Sequence, residues 1–173
     1  MLTIEKCTHA QAQNFIEDLI ALLQDGVGSG ASIGFLPPLS DEEARAYWQG
    51  IIDDVAHGKR VLLVALFDGA LVGSVQLELA MKPNARHRAE VQKLIVFRKA
   101  RRQGIGRALM SAVEQEAQQL GRKLLVLDTL AGDAAEPLYR QQGYTEVGRI
   151  PYFASSAGGE LYPTVIFYRW LGE

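Results

Sequence analysis

The sequence predicts a mixed α+β fold in a single domain spanning residues 1–173, and three observations carry that expectation. Antiparallel strands joined by tight turns fill the stretch Val61 to Phe97. A strand, helix and strand then follow around the glycine-rich run Arg101-Arg-Gln-Gly104-Ile-Gly106-Arg107, and two more strands close the chain. A doubly wound fold would alternate strand and helix from its start, which this order excludes. At 173 residues, 48% apolar and 22% charged, the chain can bury a real core and has an ordinary globular composition.

Composition narrows the function classes. The formal net charge of -2 gives no global attraction to nucleic acid or to an anionic membrane, so neither is expected as a partner. Cys7 is the only cysteine and the three histidines are scattered, so no intrachain disulfide, zinc-type cluster or other metal site is expected. The opening residues are too charged for a signal peptide, and no apolar run approaches the roughly 20 residues of a membrane helix. A cytoplasmic location is the default expectation. Oligomeric state stays open, a homodimer among the options.

Taken in order, Leu2 to Lys6 alternates as an edge strand does. From Gln11, Phe15, Leu19, Leu22 and Leu23 recur at helical spacing, and the helix is expected to end near Gly26. Gly26 to Pro38 carries four glycines and two prolines and reads as a long loop, either a binding lid or a connector. Ser40 and Glu43 form a capping box that starts a second helix at Asp41, and Gly58 stops it. Val61 to Phe67 is an apolar strand, Asp68-Gly69 a type I′ turn, and Leu71 to Met81 the return strand. There Val75, Leu77 and Leu79 alternate with Ser74, Gln76 and Glu78, which predicts one wet face.

Lys82 to Arg86 turns the chain into the strand Ala89 to Phe97. After the glycine run, Ile105, Ala108, Leu109, Ala112, Val113 and Leu120 mark the buried face of a third helix closed by Gly121. Lys123 to Asp128 reads as a strand covered on both faces, parallel to the strand before the helix because the two are joined by a crossover. Ala134 to Gln142 is a short helix that tolerates Pro137 in its first turn. Thr145 to Ile150 and Pro163 to Trp170 are the closing strands, with Tyr152 to Leu161 as a loop between them.

The run Arg101 to Arg107 suits an anion. The first N–H groups of a helix lack intrahelical partners, and the helix dipole adds positive potential there. Gly104 and Gly106 let a phosphate approach the main chain, and Arg101, Arg102 and Arg107 supply cationic forks. A P-loop or a dinucleotide fingerprint would need other glycine spacings, and neither is present.

Arg101-x-x-Gly104-x-Gly106, preceded by a strand with Leu94-x-Val96 and followed by Leu109-Met110, resembles the signature of the GNAT superfamily of acyl-CoA-dependent N-acetyltransferases. Leu138-Tyr139-x-x-x-Gly143-Tyr144 resembles that superfamily's second landmark. Stretches including Gly30 to Phe35, Lys82-Pro-Asn84, Arg88 to Leu94, Leu127 to Thr129, Ala131-Gly132 and Pro163-Thr164 are similar to the tabtoxin-resistance acetyltransferases, which act on a β-lactam amino acid.

The resemblance implies a strongly twisted mixed sheet of about seven strands and about four helices, splayed centrally for acetyl-CoA as acetyl donor. It implies that main-chain groups of Leu94 and Val96 pair with the pantetheine arm. The run Arg101, Arg102, Gln103, Gly104, Ile105, Gly106, Arg107 and Ala108 would hold the diphosphate. One departure stands out: many members carry an asparagine where this chain has about Gly132.

Amine acetylation needs a base, because a lysine-like amine with a pKa of about 10.4 is mostly protonated near neutral pH. Glu90 and Asp128 lie on strands expected to be neighbours, so both carboxylates can face one ammonium. The alternatives are a surface ion pair of Glu90 with Arg88 or Lys93, and Asp128 capping a turn. By its place in the second landmark, Tyr139 is implied as general acid toward the CoA sulfur, the alternative being a core tyrosine. The resemblance also marks Ser32, Phe35, Asn84, Tyr152 and Thr164 for the acceptor, a small-molecule amine, although Phe35 also suits a core position. The resulting expectation is acetyl transfer to a small amino-acid-like molecule, including toxins or antimetabolites, in a ternary complex. A protein or peptide N-terminal acetyltransferase and a non-catalytic acyl-CoA sensor are the alternatives.

Overall fold

The computed structural model describes residues 1–172. Seven strands form one sheet: β1 (Leu2–Lys6), β2 (Arg60–Phe67), β3 (Ala70–Leu79), β4 (Arg88–Val96), β5 (Leu124–Leu130), β6 (Thr145–Ser155) and β7 (Leu161–Trp170). Their order is β1-β2-β3-β4-β5-β7-β6, and the β4–β5 pair alone is parallel. Among the described residues five α-helices accompany them: α1 (His9–Asn14), α2 (Ile16–Gly28), α3 (Asp41–Ala56), α4 (Ile105–Gln119) and α5 (Ala135–Gln141). The sheet is covered on both faces. Val61, Leu63 and Ala65 of β2 point into a core roofed by α4, whereas Leu62, Val64 and Leu66 point into a second core under α1, α2 and α3.

Local signals account for most boundaries. Ser40 and Glu43 cap α3 reciprocally, and Asp68 and Gly69, with φ of 48° and 83°, form the expected turn between β2 and β3. Pro137 sits in the first turn of α5.

Four expectations change. The N-terminal helix is two helices, the first opened by a Thr8–Gln11 capping box, with Phe15 at the joint. The second runs past Gly26 to Gly28, because a Cβ at Gly26 would lie only 3.1 Å from Ile95 Cγ2, so the bare glycine lets α2 press onto β4. Glycine here serves close packing, and its helix cost of about 1 kcal/mol is offset by burial. Counting five α-helices instead of about four follows from the same split.

The polar face of β3 is not wet. Ser74 and Gln76 are fully buried, and Gln76 is satisfied by Tyr47 of α3 and by Arg60 Nη1, which donates to its Oε1 at 3.0 Å. Finally, only the middle of the span Tyr152 to Leu161 is a loop. β6 continues to Ser155 and β7 starts at Leu161, with an irregularity between Ile150 and Ala154 where Tyr152 takes a φ of 56°. A bulge carries the ladder across residues that a pattern reader takes for a loop.

The feature that positions the site is a short pairing. β4 and β5 are hydrogen-bonded only from Arg88 to Glu90 against Leu124 to Val126. Beyond that, β4 stays with β3 and β5 stays with β7, so the two strands diverge and leave a cleft in the middle of the sheet.

Candidate active site

Two adjoining cavities occupy this cleft. One of about 940 Å³ lies over the start of α4 and is lined by Leu94, Val96, Arg101, Arg102, Gly104, Ile105, Gly106 and Arg107, with Tyr162 and Leu138 opposite. Gly104 precedes α4 with φ of 78° and no side chain caps the helix, whose first hydrogen bond is Ala108 N–H to the Gly104 carbonyl. The amides of Ile105, Gly106 and Arg107 are therefore free to meet an anion. Gly106 faces Leu138, whose Cδ2 would stand 3.4 Å from a Cβ, so α5 closes the cradle from the other side.

The arginines are not equivalent. Arg101 donates from Nε to the Val96 carbonyl at 3.0 Å and from Nη2 to Ser29 Oγ at 2.8 Å, which ties the loop to the end of α2. Arg107 donates to Gln141 Oε1 at 3.0 Å. Arg102, with φ of 63°, makes no side-chain hydrogen bond among the described residues and is the uncommitted cation of the run. Gln103 and Ala108 lie outside the lining of this cavity, although their backbone belongs to the same turn. Gly132, at the position where many family members carry asparagine, lines it and donates its N–H to Glu136 Oε1 at 2.6 Å.

The second cavity, of about 400 Å³, is lined by Glu90, Gln92, Lys93, Asp128, Asp133, Tyr139, Thr164, Ser32 and Phe153 among others. It shares Ala31, Leu94, Leu130, Asp133 and Ala135 with the first, so the two form one bent cleft. Glu90 and Asp128 thus reach the same space from the two diverging strands. Neither alternative pairing occurs among the described residues: Glu90 has no ion pair with Arg88 or Lys93, and Asp128 accepts at Oδ2 from Thr164 Oγ1 at 2.8 Å instead of capping a turn. Burial lifts the Glu90 carboxyl above its ordinary range; the Gln92 amide opposes this, Glu78 and Asp128 reinforce it, and Arg60 opposes it again.

Tyr139 is 7% exposed, packs against Tyr144 and Phe167 at 6.0 Å between ring centres, and still lines the cavity. Burial, then Asp133 and Asp128, push its phenol above the ordinary value, so it keeps its proton at neutral pH.

The acceptor candidates divide. Ser32 and Thr164 line the smaller cavity, but Phe35, Asn84 and Tyr152 do not. Phe35 stacks edge-on against Tyr47 at 5.1 Å, Asn84 sits in an exposed 3-10 turn at Pro83–Ala85, and Tyr152 is 75% exposed while its neighbour Phe153 lines the cavity. Bulge geometry turned the face of β6 by one residue, which no alternation rule anticipates.

Sequence reading also passed over Gln92, Asp133 and the buried network behind them. Arg60 Nη1 donates to Gln92 Oε1 at 2.8 Å, and Gln92 Nε2 donates to Glu78 Oε2 at 2.6 Å. A signal existed in β4 itself: Val91, Lys93 and Ile95 share one strand register, and a lysine between two core residues points to a break in the ladder. The break is real. Val91 joins the core under α4, Ile95 joins the core under α2, and Lys93, with φ of 52°, sits in the bulge between them.

A sheet split between a parallel strand pair, with a helix N-terminus on one side and paired carboxylates and a phenol on the other, defines a class of acyl-transferring protein. The match to the acetyltransferase (GNAT) family model covers residues 31–144, and the chain belongs to that family. It is 32% identical over 124 residues to an uncharacterized N-acetyltransferase encoded in the hisH-hisA intergenic region of Azospirillum brasilense, covering 70% of this chain and 72% of that one.

Among solved structures, it resembles the ribosomal-protein-alanine N-acetyltransferase of Brucella melitensis with a TM-score of 0.82 and 25% identity, covering 98% and 99% of the two chains. It also resembles the yncA acetyltransferase of Salmonella typhimurium, solved with its cofactor acetyl-CoA, with a TM-score of 0.78 and 20% identity over 99% and 95%. The chain is an N-acetyltransferase of a family that uses acetyl-CoA. Among the described residues no group of three or more His, Cys, Asp or Glu side chains is placed to hold a metal, and no helix is long and apolar enough to cross a membrane.

Proposed function

We propose that this chain transfers the acetyl group of acetyl-CoA directly to the amine of a small amino-acid-like molecule, with toxins and antimetabolites within its range. The observation that carries the reading is the bent cleft, in which a cradle of free amides opens into a 400 Å³ chamber holding Glu90, Asp128 and Tyr139 together. The larger chamber has the room and the donors for a diphosphate and its pantetheine arm, supplied by the backbone from Arg102 to Ala108 and by Leu94 and Val96. Acetyl-CoA supplies the activated thioester carbonyl.

Glu90 and Asp128 seat the acceptor ammonium, and Glu90, whose carboxyl is biased toward taking a proton, accepts it as the free amine attacks. The N–C bond forms, the C–S bond breaks, Tyr139 delivers its proton to the departing sulfur, and the proton still carried by the acylated nitrogen returns to the Tyr139 oxygen. Thr164 keeps the Asp128 carboxylate turned toward the chamber.

The size of the chamber and the cover given by Ser32, Gly34 and Phe153 favour a small acceptor. Likeness to an enzyme that acetylates ribosomal-protein alanine supports a second reading, a peptide N-terminus. The deciding experiment is an acetyl-CoA-dependent screen of free amino acids, β-lactam amino acids and short peptides. Acetylation of small amines is expected, and acetylation of peptides alone would overturn the proposal. Failure to bind acetyl-CoA in calorimetry would remove the whole reading.

A further inference from the structure

The smaller chamber contains one cation that the acetyl-transfer chemistry leaves unused. Lys93 projects from the bulge of β4 into a wall otherwise rich in acidic groups, Glu90, Asp128 and Asp133. Its backbone adopts φ of 52°, a conformation uncommon for a residue with a side chain and one that bulges near active sites use to re-aim a side chain. Opposite stands Gly34, in the loop that covers the chamber, and a Cβ there would come 3.6 Å from Lys93 Nζ. The ammonium is thus held between strand and loop.

It is also without a partner. Lys93 makes no hydrogen bond or ion pair among the described residues, although it is partly buried and three carboxylates share its chamber. A partly buried charge left unpaired is costly, and the cost is recovered when an opposite charge arrives. Burial and Arg60 act against its charge, while Asp128 and Glu90 support it.

We infer that Lys93 anchors a carboxylate of the acceptor, so that the chamber selects zwitterions, amines that carry a carboxylate of their own. This rests on the acetyl-transfer reading above. The acceptor ammonium sits against Glu90 and Asp128, the acceptor carboxylate reaches Lys93, and the two ends fix the amine toward the donor cleft. Lys93 is then a specificity residue that takes no part in proton transfer.

The test pairs each accepted amino acid with its own primary amide, in the purified protein with acetyl-CoA. For the unaltered protein, kcat/KM is expected to be at least tenfold higher for the acid than for the amide. Lys93→Met should erase that preference through a higher KM for the acid, with the amide turned over about as before and acetyl-CoA affinity in calorimetry unchanged. Lys93→Arg should restore part of the preference. Equal use of acid and amide by the unaltered protein, or an acid preference that survives Lys93→Met, would overturn the role of Lys93 while leaving acetyl transfer to small amines standing. Acetylation of neither member of any pair, alongside acetylation of peptides, would overturn both.

Discussion

At the scale of single residues, the proposed chemistry rests on two groups whose burial favours the protonated form. Tyr139 is buried and keeps its proton; Glu90 is drawn toward binding one. Tyr139→Phe removes only the hydroxyl from a ring packed between Tyr144 and Phe167. It is expected to lower kcat by about 10²-fold or more, the usual weight of a positioned acid, with acetyl-CoA affinity unchanged in calorimetry. Unaltered turnover would remove the phenol from the mechanism.

Glu90 yields a pH prediction. Its carboxyl lies above the ordinary value of 4.5 and must be ionised to take a proton, so kcat/KM should fall as pH drops through an apparent pKa higher than 4.5. Glu90→Gln should lower the rate and shift or abolish this acid limb. A limb that stays in place in Glu90→Gln would assign the base elsewhere.

At the scale of elements, the cleft exists because β4 is held hard against β3 after it leaves β5. The closest approach is at Gly73, where an added Cβ would meet the Ile95 carbonyl at 2.8 Å and Leu109 Cδ1 at 3.2 Å. Backbone cannot give way there as a side chain can. Gly73→Ala is expected to cost about 2 kcal/mol, within the range for overpacking, and to shift the urea midpoint without changing the slope. Because Gly73 pairs with Val96, the same change should weaken acetyl-CoA binding. A variant as stable as the parent would show that β4 can slide.

Elements also divide by how local their causes are. The Ser40–Glu43 box, the Asp68-Gly69 turn and the start of α4 at Ile105 were legible because their hydrogen bonds close within four residues. The long β6–β7 hairpin and the split of the first helix were not. The joint falls at Phe15, which packs against the second core, and the bulge falls inside a ladder, neither of which alternation or helical periodicity reports.

For the whole molecule, the two cores lie on opposite faces of one sheet that is open along a line through its middle. A ligand that fills this line binds the folded protein alone and should stabilise it by mass action. At acetyl-CoA concentrations about 100 times Kd, the gain is about 2.7 kcal/mol, and for a chain of this size the melting temperature should rise by roughly 5–10 °C. Scanning fluorimetry with acetyl-CoA against adenosine alone checks this. Equal shifts for both would mean that the pantetheine and acetyl portions find no seat in the cleft.

By itself the sequence determined the mixed α+β class and the glycine turn that opens α4, and with the family resemblance it pointed to Glu90, Asp128 and Tyr139, which line one chamber. The class and the turn follow from local backbone chemistry, and the three residues from where they fall on two neighbouring strands and in a helical landmark. Only the tertiary structure decided which loop residues line the smaller chamber, that the polar face of β3 is buried, and that Lys93 lines the chamber instead of the core. The physical reason is one of register: a single extra residue in β4 turns every side chain after it to the other face of the sheet. Whether a strand accommodates that residue depends on the neighbours it packs against, not on the order of its own amino acids.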